Sequence, residues 1–336
     1  MTISYAFDTK PGHGEITAVA DGIRWLRMPL PMVLEHINLW LLDDADGCAI
    51  VDTGVHIDSN REVWENTLDG RTVTRLFVTH LHPDHAGCAG WLARGHDVEL
   101  WMTREEYLLC RVLIADTGRE APEAGVRFYK AAGFAGEALH RYQAMFGMFG
   151  RYVSPLPEAY RRLQDGGIVP VGGSNWEVVI GRGHSPEHAC LYNAERNLVI
   201  SGDQILPTIS SNVSVYPTEP HANPLMDWIE SLTAMKQRLP EDVLVLPAHG
   251  RPFRGAHARL DALIAEHDTA LAKCLELCAK PKRAVDVFPA LFKGRISDGN
   301  LIMATGESVA HLNYLLADGQ ATVETDREGV DWYRRT

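Results

Sequence analysis

Short apolar runs broken by polar turns open the chain. Gly22-Ile-Arg-Trp-Leu-Arg-Met28 and Asn38-Leu-Trp-Leu-Leu42 predict strands, and Asp43-Asp-Ala-Asp-Gly47 predicts a turn. A further apolar run, Cys48-Ala-Ile-Val51, ends at Asp52-Thr-Gly54. The period then changes: across Asp58 to Leu68, the side chains of Val63, Trp64 and Leu68 fall on one side of a helix. A strand over Thr74–Thr79 follows, and strand and helix patterns alternate to about residue 260. Such alternation predicts a mixed α/β fold.

Two intervals depart from that rhythm. Residues 102–166 read as mostly helical, with Phe128, Tyr129, Phe134, Tyr142, Met145, Phe146, Met148, Phe149 and Tyr152 crowding the middle. This is either a helical insertion with a small core of its own or a lid whose apolar inner face covers a site, and both readings hold together. Under the lid reading, Phe146 and Phe149 are the candidate substrate-pocket residues. After Ala256, His257–Lys280 predicts one long amphipathic helix. A second apolar stretch (Ala284–Phe292), a helix (Leu301–Asp318) and a β-rich end with Asp326-Arg-Glu-Gly329 at its tip complete the chain. Helix, helix and hairpin form a winged-helix pattern. The expected organisation is a catalytic domain over 1–256, with the insertion at about 102–166, and a winged-helix-like domain over 257–336.

The strand at Thr74–Thr79 delivers an unusual cluster. Thr79-His-Leu-His-Pro-Asp-His-Ala-Gly87 packs His80, His82, Asp84 and His85 into six positions. Imidazoles and carboxylates are the usual ligands of zinc and similar divalent ions. Side chains two apart on an extended segment share a face, so His80 and His82 can grip one ion while Asp84 and His85 turn toward a neighbouring one. Core packing gives no reason to gather four such residues. Further apolar runs end in ligand-type residues: Val178-Val-Ile-Gly-Arg-Gly-His184, Asn197-Leu-Val-Ile-Ser-Gly-Asp203 and Asp242-Val-Leu-Val-Leu-Pro-Ala-His249.

Composition narrows the function. Of 336 residues, 46% are hydrophobic and 23% charged, which is ordinary for a globular protein. Lys and Arg number 32 against 44 Asp and Glu, for a net charge of −12, which disfavours a general polyanion binder. The N-terminus lacks the basic-then-apolar pattern of a signal peptide, and no apolar run reaches the ~20 residues a bilayer span needs. Cys48, Cys88, Cys110, Cys190, Cys274 and Cys278 show no C-x-x-C spacing and read as thiols of a reducing compartment. A cytoplasmic location is therefore expected.

THLHPDH, GHSPEH, SGDQ and PAHG, in that order, resemble the metallo-β-lactamase superfamily, as does the early Asp52-Thr-Gly54 turn. The resemblance covers about residues 15–256, and the tail resembles the winged-helix domain of a subgroup containing an endoribonuclease and polyketide-releasing thioesterases. It implies an αββα sandwich with a two-metal centre at one edge of its sheets. His80, His82 and His184 would hold the first ion, Asp84, His85 and His249 the second, and Asp203 would bridge them. Asp52 and His188 would order the ligands through hydrogen bonds, whereas His36 and His221 read as ordinary packing or surface histidines. The ions would be zinc first, with manganese or iron accepted by the same donors. Asp84 would be the catalytic residue, orienting water and passing its proton to the leaving group.

Three function classes then compete. The first is hydrolysis of an acyl ester, thioester or lactone by metal-activated hydroxide, which the aromatic insertion suits. The alternative is a metal-dependent endoribonuclease, for which Lys280, Lys282, Arg283, Lys293 and Arg295 would supply a basic track. The third, a non-catalytic binding protein, fits poorly with a complete ligand set. A covalent serine route has no G-x-S-x-G elbow behind it, and a β-lactamase role is disfavoured by the absent export signal. The expected partner is a small acyl substrate, with no membrane and no nucleic acid, and the tail is expected to serve packing or a homodimer contact.

Overall fold

A computed structural model describes residues 2–31 and 34–336. Along the chain run β1 (Ser4–Tyr5), β2 (Ile16–Ala20), β3 (Ile23–Pro29), β4 (His36–Asp44), β5 (Gly47–Val51), α1 (Asp58–Leu68), β6 (Val73–Phe77), α2 (Pro83–Ala86), α3 (Ala89–His96) and β7 (Leu100–Met102). Helices α4 (Arg104–Ala115), α5 (Glu123–Ala131) and α6 (Glu137–Met145) precede β8 (Arg161–Arg162), β9 (Ile168–Val171), β10 (Ser174–Gly181), β11 (His188–Asn193) and β12 (Leu198–Gly202). The remainder is α7 (Pro224–Arg238), β13 (Leu244–Pro247), β14 (Phe253–Arg254), α8 (Ala256–Leu277), α9 (Phe288–Leu291), α10 (Leu301–Ala317), β15 (Ala321–Thr325) and β16 (Asp331–Arg335).

Two seven-stranded sheets form among the described residues. The first runs β2-β3-β4-β5-β6-β7-β8 and the second β1-β14-β13-β12-β11-β10-β9. Central strands such as β4, β5, β11, β12 and β13 are buried on both faces, which is why they read as near-continuous apolar runs. Alternation sorts the two faces. On β4, Trp40 and Leu42 point between the sheets, while Ile37, Leu39 and Leu41 point outward to pack with Trp64 of α1 and Leu92 of α3. On β12, Leu198 and Ile200 meet the first sheet, while Val199 joins Trp228 and Leu232 of α7 and Leu260 of α8. Helices thus cover both outer faces, giving the αββα layering.

Two departures from the sequence expectations stand out. The interval 102–166 is helical to Met145, but Arg161–Arg162 then pairs with β7 as the edge strand of the first sheet. The tail shows the expected order of helices and hairpin, yet its apolar face is continuous with the second sheet's outer layer. Val309, Ala310 and Leu312 of α10 and Tyr333 of β16 share one core with Trp228 and Val245. Leu260 and Leu263 of α8, the helix that opens the tail, pack in that same core.

The aromatic residues of the insertion form a small cluster. Tyr129, Phe134 and Tyr142 are buried together, and the half-buried Phe146 packs on them along with Val285, Leu301 and Ile302 from the tail. Phe149 packs instead on the outer core of the first sheet. Both candidate pocket residues are thus packing residues that keep part of their surface exposed. Among the described residues, no helix is long and apolar enough to cross a membrane.

Candidate metal centre

One edge of the sandwich collects the ends of five strands. Asp52 follows β5, His80 and His82 follow β6, His184 follows β10, Asp203 follows β12 and His249 follows β13, while His188 begins the antiparallel β11. Asp84 and His85 lie not on a loose turn but on the one-turn helix α2, with Pro83 at its first position.

These side chains converge on two groups. His80, His82, His184 and Asp203 offer ligand atoms within 4.8 Å of one another, and so do Asp84, His85 and His249. In the first group, His80 Nε2 stands 2.9 Å from His82 Nδ1 and 3.2 Å from His184 Nε2. Asp203 links the groups. Its Oδ2 faces His184 Nε2 at 3.4 Å, and its Oδ1 faces His249 Nε2 at 3.4 Å and His85 Nε2 at 3.6 Å.

The donor set fits two divalent cations. Separations of 3.4–3.6 Å are long for hydrogen bonds. Donors bonded to one ion at about 2.0–2.1 Å in a tetrahedral array stand roughly 3.4 Å apart. His85 Nε2, His249 Nε2 and Asp203 Oδ1 are buried with no hydrogen-bond partner, a costly state unless a cation meets them. The opposite ring nitrogens are all engaged. His85 Nδ1 donates to Asp52 Oδ2 at 2.8 Å, His249 Nδ1 to the His36 carbonyl at 2.8 Å and His184 Nδ1 to the Asn212 carbonyl at 2.7 Å. Each such bond holds a proton on Nδ1, so that Nε2 is the ring atom turned toward an ion.

Electrostatics differ across the centre. Burial drives the His80 imidazole well below its ordinary value, with His85, His82, His188 and His184 adding to the effect. Burial and His184 bring His82 down to about 3. His85 goes the other way. Burial opposes its charge, yet the carboxylates of Asp52, Asp84 and Asp203 raise it well above the ordinary range. His249 is raised by Asp203 and Asp84, again against burial. Burial pushes the Asp84 carboxyl up, but His85 and His249 outweigh it and hold the group at about 2. Asp203 is likewise held well below its ordinary value by His249 and His85.

Several supports surround the ligands. Asp52, at a positive φ of 60°, accepts from Thr79 N at 2.8 Å and from the Thr79 hydroxyl as well as from His85. His188 Nε2 accepts from Asp203 N at 3.0 Å. The close fit there requires glycine at 202, where φ is +49° and a Cβ would lie 2.6 Å from the His188 ring. His36 does more than pack: besides its carbonyl bond to His249, its Nε2 accepts from Gly250 N at 3.2 Å. Asn38 ties the same loop to the first sheet, donating to Pro247 O and Gly250 O, both at 2.8 Å. His221 is exposed and takes no part in the centre.

Sequence reasoning missed Glu106. Fully buried on α4, it accepts from Leu81 N at 2.9 Å and from Glu187 N at 2.8 Å, clamping the His80–His82 segment to the His184–His188 segment. In the sequence it looks like a first-turn helix acid, the position where an exposed carboxylate favours the helix dipole. The one available signal was its place one turn before the buried Cys110, on the apolar side of α4.

Comparison with known proteins now decides the family. The profile described as "Metallo-beta-lactamase superfamily" matches residues 33–249, and that described as "Metallo-beta-lactamase-like, C-terminal domain" matches residues 271–336. The chain belongs to the metallo-β-lactamase superfamily. It is similar to the crystal structure of a β-lactamase domain protein from Burkholderia ambifaria, at 40% identity and a TM-score of 0.90 over 99% of this chain and 98% of that one. It is 22% identical to an atrochrysone carboxyl ACP thioesterase of Aspergillus fumigatus over 81% of this chain, spanning about half (51%) of that relative's length. It is also 22% identical to a human acyl-coenzyme A thioesterase, over 56% of this chain and 65% of the relative. Within this superfamily of hydrolases, the His/Asp clusters are those suited to a dinuclear metal site.

Proposed function

We propose that the protein is a binuclear metal-dependent hydrolase of acyl thioesters or related acyl esters and lactones. His80, His82 and His184 hold the first ion, Asp84, His85 and His249 the second, and Asp203 is shared. The observation that carries this reading is Asp203, whose two oxygens face the two groups separately. Zinc is the first choice, as His and carboxylate donors in tetrahedral spacing suit it. When bound, paired divalent ions supply electrophilic activation of a carbonyl and acidify water near neutral pH.

The chain's own residues do the rest. Asp84 stays ionised over the working pH range because its carboxyl is held at about 2. Half-buried beside His249, it can accept a proton from the attacking water and return it to the leaving thiol or alcohol. The names of the fungal and human relatives favour a thioester. The net charge of −12 favours a compact acyl substrate over a polyanion. In the same reading the tail, winged-helix-like in its order of elements, serves packing. Arg283 is already engaged by Asp286 and by the Trp332 ring, which weakens a basic track for RNA.

The test compares metal-stripped and Zn2+-reloaded protein on an acyl-CoA, an aryl ester, a lactone and a single-stranded RNA. Thioester cleavage that disappears on chelation is expected. Robust RNA cleavage with every acyl substrate untouched overturns the proposal.

A further inference from the structure

The loop that follows Asp203 is gripped by the helices of the tail. From α8, Arg259 donates to Leu206 O at 2.6 Å and to Ile209 O at 2.8 Å. From α10, Gly306 O accepts from Val215 N at 3.1 Å and Met303 O accepts from the Ser214 hydroxyl at 3.2 Å. The approach of α10 depends on Gly306, where a Cβ would stand 2.8 Å from Ser214 Oγ and 2.9 Å from Val215 O.

Within this loop Asn212 has two attachments. Its backbone carbonyl accepts from His184 Nδ1 at 2.7 Å. Its side-chain amide donates from Nδ2 to Glu307 Oε2 at 2.7 Å, and its Oδ1 accepts from the Ser214 hydroxyl. Both ends of the amide are therefore fixed by groups that α10 supplies or holds. Burial pushes the Glu307 carboxyl up to about 7, against the pull of the Asn212 amide. The ionised and neutral forms both present an oxygen that can accept this bond.

We infer that Glu307 is a positioning residue for the first ion: acting through Asn212, it fixes the imidazole of His184, and the C-terminal region is thereby a working part of the metal centre. The inference rests on the metal-centre reading of His80, His82 and His184. It is distinct from a general docking role for α10, because α10 has a second attachment that bypasses Asn212. Asn313 Nδ2 donates to Pro220 O at 3.0 Å and to Ala222 O at 2.9 Å.

The experiment titrates the metal-stripped full chain with Zn2+ against a chromophoric chelator, with thermal unfolding of the stripped protein in parallel. Glu307→Ala is expected to weaken one of the two ions by roughly 10–100-fold, the range for losing an outer partner of a ligand, and to leave the other unchanged. Glu307→Gln, which keeps an oxygen for Asn212, is expected to restore wild-type affinity. Asn212→Ala should match Glu307→Ala, and the double variant should be no worse than either, as for residues acting in one chain. If Glu307→Ala does not fold, Asn212→Ala carries the same expectation. Asn313→Ala should leave both affinities intact. Wild-type affinity for both ions in Glu307→Ala and Asn212→Ala, or an equal loss in Asn313→Ala, overturns the inference and leaves the metal reading standing. Wild-type protein that takes up no Zn2+ overturns both.

Discussion

The groups whose charge shifts His80 are other imidazoles; those that raise His85 are ionised carboxylates. His80 and His82 are therefore poised as neutral lone pairs. In the second group, His85 and His249 are raised by Asp52, Asp84 and Asp203, so a proton competes for the place an ion would take. One kind of side chain serves two electrostatic roles, and the difference comes from what each ring faces rather than from burial, which opposes charge in both groups.

The sharpest way to break this comparison is to remove the group common to both halves. Asp203→Ala should lower turnover by on the order of 100-fold or more, beyond the 10–100-fold typical of outer partners, while the protein stays folded because the residue lies on a loop after β12. Metal analysis should show fewer than two ions; near-native turnover would take Asp203 out of the site. Next comes His249→Ala, which should cost one ion of two and leave the group of three imidazoles loaded. If that variant loses both ions or neither, the two positions are not separable as drawn.

Supports should split the same way. Asp52→Ala removes the acceptor of His85 Nδ1 and should weaken the second position by roughly 10–100-fold. Glu106→Ala releases the backbone of Leu81 and Glu187 and should act mainly on the first. Competition titrations with Zn2+ read both, and equal effects on the two ions would erase the distinction. The gentlest test is pH. In the metal-free protein His85 is raised well above 6.5, so it carries its proton at neutral pH and must release it to an ion. Affinity at the second position should then fall about tenfold per pH unit for each proton displaced as pH drops, while His80 and His82 at the first, both lowered out of the neutral range, release no proton there. Without metal, the stabilising charge on His85 is fully present below 6.5 and is lost as pH rises through its raised value.

Residues that announce themselves locally were legible in the sequence. His80, His82, Asp84 and His85 share one segment, and His184, Asp203 and His249 each close an apolar strand, so period and punctuation marked all seven as candidates, and the fold brings them near one another. Strands β3 to β6 of the first sheet were legible for a related reason, since residues such as Trp40 and Leu41 alternate between two buried faces. What depends on distant packing was not. Glu106 reads as a helix-start acid until Leu81 and Glu187 are seen above it. The pairing of Ser4–Tyr5 with Phe253–Arg254 joins the two ends of the sandwich's chain, and no local pattern encodes it. The aromatic run over 128–152 gives composition without direction, and nothing local tells that Phe146 and Phe149 pack on two different clusters.

The shared core of sandwich and tail has a consequence for the order in which the molecule can be made. His249, the last of the seven, precedes Thr336 by 87 residues, and α8 and α10, which grip the loop beyond Asp203, lie within that stretch. At roughly 5–20 residues per second, a ribosome needs about 4–17 s to deliver it. During that interval every candidate ligand has been synthesised while the outer face of the second sheet still lacks α8 and α10. A chain truncated after residue 256 should therefore hold metal loosely and attract chaperones, and the centre should close only as α10 docks.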